Sequence, residues 1–515
     1  MAAIAVLACL AGAVAVARGG ERDRPAGSAA AARHAPAPDL RGRGALLPAP
    51  ADDVTGRPAG VVRARVAARR AELRILRRSR TVRGALRRAW VAGAIHRSTY
   101  ARFRRVWWTA RRAHARLSGR RHAELGAVIA VAADLARNRA LSASRLDAVF
   151  LTLRRNRDYW TRRALPAPGE RFSFGRDPVT FQYYAGRGLQ IQPLASFGHA
   201  NALSSSCLLP HPRFRCRPRA LRRLLNRMLA LGSERGGFLA WEYLFEFGGG
   251  TPPWISAMTQ ATGAQALARG RRVLGDRRYG MAARRALGAF EQPPPTGVAV
   301  AAGAGRRYAM YSFAPELRIL NGELQAVIGL RDTATLLGSG RAWNLYARGE
   351  GVARRAVRAF DTGAWSLYSQ GGLESTLGYH RLLADFLDAL CRRTHAPTYC
   401  ATGRRFARYV REPPRVQLGR LRGVRTRRAT ALQFSLSKVS RVSVRVWNRR
   451  GLELRRDLQL ARGRYSVPWV PELRGRHRVR IVATGPAGTR SVLRRTVRAT
   501  TRPAPVRAAR HGGGR

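Results

Sequence analysis

The sequence predicts a multidomain, mainly α-helical chain: an α/α toroid in the form of an incomplete barrel, a short β-rich segment before it, and a C-terminal Ig-like β-sandwich. Three observations predict this. Helix-length segments separated by glycine-rich breaks fill residues 219–412, alternating aromatics with Gly and Pro punctuation mark 171–194, and period-two alternation of apolar residues begins after Pro413-Pro414. At 515 residues the chain has room for roughly two to four domains. Its hydrophobic content of 45% is enough for buried cores and excludes wholesale disorder.

Residues 2–17, AAIAVLACLAGAVAVA, form an uncharged apolar run followed by Arg18-Gly19-Gly20. This is the length of a signal-peptide core and short for a membrane span. Residues 1–19 are therefore expected to be a signal peptide or a retained anchor, making the protein secreted or attached to the cell envelope. Cys9, after Val6-Leu7-Ala8, loosely resembles a lipidation site. Residues 20–60 are rich in Ala, Pro, Gly and Arg without apolar periodicity and read as a disordered linker. The span 61–165 turns helical, with amphipathic stretches such as LDAVFLTL at 146–153. Within it, Arg74, Arg77, Arg78 and Arg80, then Arg104-Arg105 beside Trp107-Trp108, suggest either an aromatic-basic surface or a helix with a buried Trp pair and a solvated Arg face. The second reading is preferred.

The β-rich texture at 171–194, RFSFGRDPVTFQYYAGRGLQIQPL, predicts short strands whose Gln182, Tyr183, Tyr184 and Arg187 project as the rim of a polar ligand site. It opens the toroid, assigned to 166–412. Leu221, Leu224, Leu225, Met228 and Leu229 repeat at i, i+3, i+4, i+7 and i+8, as do apolar residues of Leu382, Leu383, Phe386, Leu387 and Leu390 in similar fashion, each defining one buried helix face. Breaks such as Gly248-Gly249-Gly250 and Gly338-Ser339-Gly340 separate serial helices, the pattern of antiparallel pairs closing into a ring. In 415–500, the triplets Leu432/Phe434/Leu436, Val442/Val444/Val446 and Val479/Ile481/Ala483 alternate around turns at Asn448–Gly451 and Pro486-Ala487-Gly488, which predicts the sandwich. Its segments FSLSKVSRVSVRVWNRRG and HRVRIVATGPAG resemble the FlgD-type Ig-like modules appended to exported bacterial proteins. Residues 501–515 read as a disordered tail.

Beyond the leader, four cysteines form two pairs of equal spacing, Cys207 with Cys216 and Cys391 with Cys400. In an exported chain these read as disulfides, and nearest-neighbour pairing is the simplest of three connectivities. A zinc site is disfavoured because neither pair has C-x2-C spacing or an accompanying histidine pair. The 96 basic and 29 acidic residues leave a net charge of 96 − 29 = +67, which favours a polyanionic partner. Lys438 is the single lysine, leaving 96 − 1 = 95 arginines, a bias that GC-rich codon usage also produces. The basic residues follow the whole chain instead of marking one module, which argues against nucleic acid. Phosphate-binding glycine loops, HExxH and G-x-S-x-G are missing from the sequence, so neither a metal nor another cofactor is expected.

The chemistry concentrates between 254 and 391, in WISAMTQATGAQAL, YAMYSFAPELRILNGELQAVIGL and GAWSLYSQGGLESTLGYHRLLADFL. Tyr311, Tyr368 and Tyr379 fall outside the apolar spacing of their neighbours. Buried tyrosines that hydrogen-bond at helix ends would also account for them. The block resembles the C-terminal catalytic region of the D-glucuronyl C5-epimerases through Trp254, Ser256, Ala257, Met258 and Gln260, then Tyr308, Tyr311, Leu320, Asn321 and Gly322, then Ser366-Leu367-Tyr368, then Gly378-Tyr379-His380.

The resemblance implies inversion of glucuronate at C5 within an acidic polysaccharide such as heparosan. Tyr311, Tyr368 and Tyr379 would then be catalytic, and Tyr184, Arg187, Trp254, Gln260, Tyr308, Asn321, His380 and Arg381 would bind substrate. Removing a proton α to a carboxylate and returning it from the other face requires an acid/base on each face and cations on the carboxylate. Arg187, Arg318 and Arg381 are the candidates for the latter, and an arginine-rich surrounding would favour a tyrosinate base. The chain departs from the family at Ala309 and Met310, where the family has two acidic residues. Glu316, Glu323 or Glu374 could take over, although Glu323 and Glu374 also suit the first turns of following helices. The alternatives are a non-catalytic acidic-glycan binder of the cell envelope on the same scaffold, and a polysaccharide lyase.

Overall fold

The computed structural model describes residues 66, 67, 70, 79–209, 215–421 and 423–501. The expected leader and linker, Arg74, Arg77 and Arg78, and all but the first residue of the expected tail lie outside the described residues. Helices predominate before residue 412 and strands after it. The chain divides into two compact units: one groups residues up to Ala301 with Tyr308–Glu316 and Gly329–Ala347, the other Ala302–Arg307, Leu317–Ile328 and residues from Arg348 onward.

The first unit begins with helices α1 (Val82–Val91), α2 (Arg97–Arg116), α3 (Gly119–Arg137) and α4 (Leu146–Trp160), followed by the antiparallel sheet β1 (Arg171–Phe174), β2 (Asp177–Tyr184), β3 (Gly188–Ile191). Thr81 caps α1, its hydroxyl accepting from Gly84 N at 3.1 Å. In α2 the inward line is Phe103, Val106 and Ala110, a helical repeat that turns Trp108 outward. Trp108 is 57% exposed under the guanidinium of Arg112, so the expected buried Trp pair is corrected.

The sheet is held by two buried polar residues of the preceding helices. Glu124 of α3 accepts from Tyr183 Oη at 2.6 Å and from the amides of Gly186 and Gly188 at 2.8 Å. Asn156 of α4 accepts from Leu189 N and donates to Leu189 O. Gly188 sits at φ +74°, and a Cβ there would meet Asn156 Oδ1 at 2.6 Å, so both conformation and space require glycine. One apolar cluster runs from Val82 through Phe181 and Leu225 to Ala286, so the core continues across residue 165.

Helices α5 (Pro193–Leu208) and α6 (Pro218–Ala230) each start on a proline, which loses nothing at a first-turn position. On α6, Leu221, Leu224, Leu225 and Met228 are buried as the spacing predicts, with Leu229 half-buried at the edge. A disulfide joins Cys207 to Cys216. The hairpin β4 (Ser233–Arg235) and β5 (Phe238–Ala240) leads to α7 (Ala257–Leu274) and α8 (Arg277–Ala286). After β5, Glu242, whose side chain is 2% exposed, accepts from Arg145 Nε at 2.5 Å, Arg235 Nη1 at 2.7 Å and Ser233 Oγ at 2.8 Å. The strands β6 (Ala299–Ala302) and β7 (Gly305–Tyr308) precede α9 (Leu320–Leu337) and α10 (Gly340–Ala356), and these two helices have residues in both units. Gly329 of α9 packs so close to α7 that a Cβ would meet Ala261 O at 2.6 Å.

In the second unit α11 (Leu377–Thr394) and α12 (Pro397–Arg411) are joined by the Cys391–Cys400 disulfide. Leu382, Leu383, Leu387 and Leu390 are buried, with Phe386 half-buried. Seven strands follow: β8 (Val416–Leu418), β9 (Thr430–Leu436), β10 (Ser440–Asn448), β11 (Gly451–Leu460), β12 (Gly463–Trp469), β13 (Gly475–Thr484) and β14 (Arg490–Ala499). They form two antiparallel sheets, ordered β11-β10-β13-β14 and β12-β9-β8, whose inward residues share one core built on the three predicted triplets. The β10–β11 turn is closed by Asn448 Oδ1 accepting from Arg450 N at 2.7 Å. Lys438 is buried, its Nζ donating at 2.7 Å to Tyr409 O and to Glu412 O at the end of α12. Burial brings this ammonium down to about 8. Among the described residues no helix is long and apolar enough to cross a membrane.

Candidate functional site

In the first unit Trp254 and Tyr311 of the epimerase-like motifs lie in an aromatic cluster. Tyr243 and Trp254 exchange backbone hydrogen bonds at 2.8 and 3.2 Å and stack at 4.1 Å between ring centroids. Phe247, Tyr311 and Phe313 surround Trp254 at 5.3–5.8 Å. Tyr311 stacks on Phe313 at 5.3 Å and is itself buried. Trp254 donates its Nε1–H to Phe245 O, and Tyr308 donates its hydroxyl to Leu345 O at 2.6 Å. These two expected substrate binders therefore spend those donors within the protein, and their visible role is packing.

The segment 309–312 runs beside the start of α7: Ala257 N donates to Ala309 O, and Ser312 N donates to Ile255 O. This places Met310, buried, with its Sδ 3.6 Å from Oγ of Ser256, the residue preceding α7. A carboxylate at 310 would stand at a helix N-terminus, a favourable place for an anion. The thioether there carries no charge and moves no proton. One turn into α7, Gln260 is fully buried with neither amide atom hydrogen-bonded.

In the second unit Tyr368 and Tyr379 meet edge to face at 4.9 Å. Tyr379 enters α11 at its third position, set by Thr376, whose hydroxyl accepts from Tyr379 N. Tyr368 lies on the preceding loop, where its N–H donates to Leu373 O at 2.8 Å. Asn321 is buried with Oδ1 unpaired. Beside it in sequence, Arg318 forks onto both oxygens of the buried Glu323 at 3.1 and 3.0 Å.

Several expected site residues are placed elsewhere. Gln182, Tyr183 and Tyr184 are buried because β2 is covered on both faces, so they form no ligand rim. Tyr184 Oη accepts from Gln192 Nε2 at 2.8 Å. Arg187 is half-buried and pairs with Glu246 at 2.7 Å. Arg381 is exposed on α11. Glu316 is exposed. Glu374 does not cap α11, since Thr376 does; its two oxygens accept from Val439 N and Arg462 N.

His380 is stacked on Trp365 at 3.7 Å, with Nδ1 2.8 Å from Ser366 Oγ and Nε2 2.8 Å from Phe406 O. Both ring nitrogens are committed inside the protein. Burial is the main cause holding its pKa down to about 4 from 6.5, with Lys438 and Arg381 adding to it against Phe406 O and Asp361. The native state therefore keeps a neutral ring while the unfolded chain binds a proton, and stability is lost as pH falls from 6.5 toward 4. That span corresponds to about 3 kcal/mol. Denaturant unfolding at pH 7 and pH 4 should show this loss, and His380→Gln should flatten it; equal losses in both proteins would contradict the assignment.

Sequence reasoning missed Trp365, Phe247 and Phe313, which hold the motif residues in place. The Ser375-Thr376 pair ahead of an apolar run was a readable helix-start signal. Among the described residues no group of three or more His, Cys, Asp or Glu side chains could hold a metal.

Among solved structures, the chain is similar to a cellobiose 2-epimerase from Bacillus thermoamylovorans, at 11% identity over 57% of this chain and 75% of that one, with a TM-score of 0.34. It is also similar to the endo-β-1,4-glucanase CMCax from Acetobacter xylinum (14% identity, 40% and 65% covered, TM-score 0.28) and to a sugar epimerase from a ruminal bacterium (12% identity, 44% and 63% covered, TM-score 0.29). No curated protein matches the sequence. Residues 235–408, about a third of the chain and the span holding the motif residues from Trp254 to His380, match the family of the D-glucuronyl C5-epimerase C-terminus.

Proposed function

We propose that this is an exported uronosyl C5-epimerase acting on D-glucuronate residues of an acidic polysaccharide. The observation that carries the reading is the condition of Gln260 and Asn321. Both lie in the matched segment, Gln260 in the first unit and Asn321 in the second, and each is buried with open amide capacity that costs stability unless a polar group completes it. In the proposed chemistry the C5–H bond breaks, the proton passes to a tyrosinate, and the electron pair spreads onto the uronate carboxylate. A second tyrosine hydroxyl then returns a proton to the opposite face. Tyr368 and Tyr379 are the proposed pair, with Tyr311 the third candidate. Arg318 is the proposed carboxylate clamp, sharing its guanidinium between Glu323 and the substrate.

The proposed organisation keeps an α/α toroid over 166–412, supported by its serial helices, and an Ig-like sandwich over 415–500, supported by two sheets around one core. The helices of 61–165 would support the toroid. A leader at 1–19 that exports the chain or attaches it to a membrane, a linker at 20–60 and a disordered tail at 501–515 complete it. Neither a cofactor nor nucleic acid has a part. Met310 favours a second reading, in which the scaffold binds acidic glycans without epimerising them. Incubation with a heparosan-type polymer in D2O separates the two: the first reading expects deuterium at uronate C5, the second binding without exchange.

A further inference from the structure

The outward face of the four-stranded sheet carries a feature the epimerase reading does not use. Strand register sets Arg455 opposite Arg445, Arg445 opposite Arg480, and Arg480 opposite Arg494, so one arginine from each of β11, β10, β13 and β14 forms a row across the whole sheet. Alternation fixes their direction, because Val444, Val446, Val479 and Ile481 between them fill the core. Adjacent strands lie about 4.8 Å apart, and like charges directly opposite one another are destabilising.

The same register continues the charge on either side. Arg441 shares a row with Arg490 through Thr484, and Arg476 lies opposite Arg498. Against these stands one carboxylate, Asp457, whose oxygens accept from Arg445 Nη2 at 2.9 Å and which also touches Arg455. Arg480 Nε is buried without a hydrogen-bond partner. Part of the face is a shallow depression of about 630 Å³ with Arg441, Arg445, Arg480 and Arg490 on its wall. Codon bias would scatter arginines over solvated surface. It does not account for a register-matched row with a single counter-charge.

We infer that this sheet face binds an anionic polysaccharide, its carboxylates lying across the arginine row. Neighbouring guanidinium forks on a rigid sheet bracket carboxylates bidentately, and the bound polymer relieves the repulsion along the row. Single-stranded nucleic acid needs aromatic platforms for its bases, and this face has only Trp447. The choice of a uronan as occupant rests on the proposed function, whereas the cationic face itself does not. The surface would hold the polymer while the chemistry proceeds elsewhere on the chain.

The test is retention of the full chain on an immobilised heparosan-type polymer across a salt gradient, with a single-stranded DNA column in parallel. Wild type should be retained at low salt and released as salt rises. Arg480→Ser combined with Arg494→Ser should weaken binding about tenfold or more, while Arg464→Ser combined with Arg420→Ser, exposed positions off this sheet, should change it little. The first double variant loses repulsion, so its melting temperature should hold or rise, and the polymer should raise the melting temperature of wild type more than that of the variant. Equal retention of both double variants, or tighter binding to DNA than to the uronan, would overturn the inference. Loss of C5 exchange with retention intact would instead count against the epimerase reading alone.

Discussion

Tyr379→Phe is expected to lower the rate of C5 hydrogen exchange in a glucuronate polysaccharide at least a hundredfold, and Tyr368→Phe to do the same. A positioned acid or base supplies about 10²–10⁴ in rate, and phenylalanine removes only the hydroxyl. The phenyl ring preserves the edge-to-face contact at 4.9 Å, and the backbone bonds of both residues, Tyr379 N to Thr376 and Tyr368 N to Leu373 O, do not involve the side chain. Thermal melts of the variants should therefore stay close to wild type while exchange collapses. Unchanged exchange in both variants would remove the tyrosine pair from the chemistry.

The largest expected effect on stability is at Glu242. Its carboxylate is buried between Arg145 and Arg235, with side chains only 12% and 10% exposed. Burial pushes the carboxyl up, but the hydrogen bonds and charges of the two arginines outweigh it and hold the group below the usual carboxylate value. Glu242→Ala leaves two guanidiniums in a poorly solvated site without a counter-charge, a loss of about 3–5 kcal/mol. That is a large share of a typical total of roughly 5–15 kcal/mol. Because the folded pKa is depressed, the stabilisation is present above the unfolded value and fades as pH falls through the folded one. Chemical denaturation at pH 7 should show the difference between wild type and variant, and the gap should narrow in acid. A loss below 1 kcal/mol at pH 7 would show that the pair is solvated.

Periodicity made much of this fold readable. The α6 face from Leu221 to Met228, the alternating triplets of the sandwich and the two cysteine pairs are local patterns, and each is found in the structure. Other features depend on contacts that no local pattern carries. Gln182, Tyr183 and Tyr184 looked like a rim because their types suit one, but their burial depends on partners such as Glu124, 59 residues before Tyr183. His380 sat in a family motif, yet its ring is fixed by Trp365, Ser366 and Phe406, a set no spacing rule connects. Trp108 could have been placed from sequence, since Phe103, Val106 and Ala110 already occupy the inward line of α2. The motif residues themselves were recognisable, but the open amides of Gln260 and Asn321 were not, because lack of a partner is a property of the packed chain.

Proton exchange at C5 of glucuronate is measured most directly as isotope incorporation by the unmodified protein. Heparosan-type polymer incubated with the full chain in D2O and read by NMR should gain deuterium at uronate C5 and acquire iduronate signals, without the absorbance of unsaturated ends that a lyase would produce. A polymer that binds the protein yet stays free of deuterium at C5, across several glucuronate-containing substrates, would contradict the account and leave Met310 as the residue that marks a binding protein.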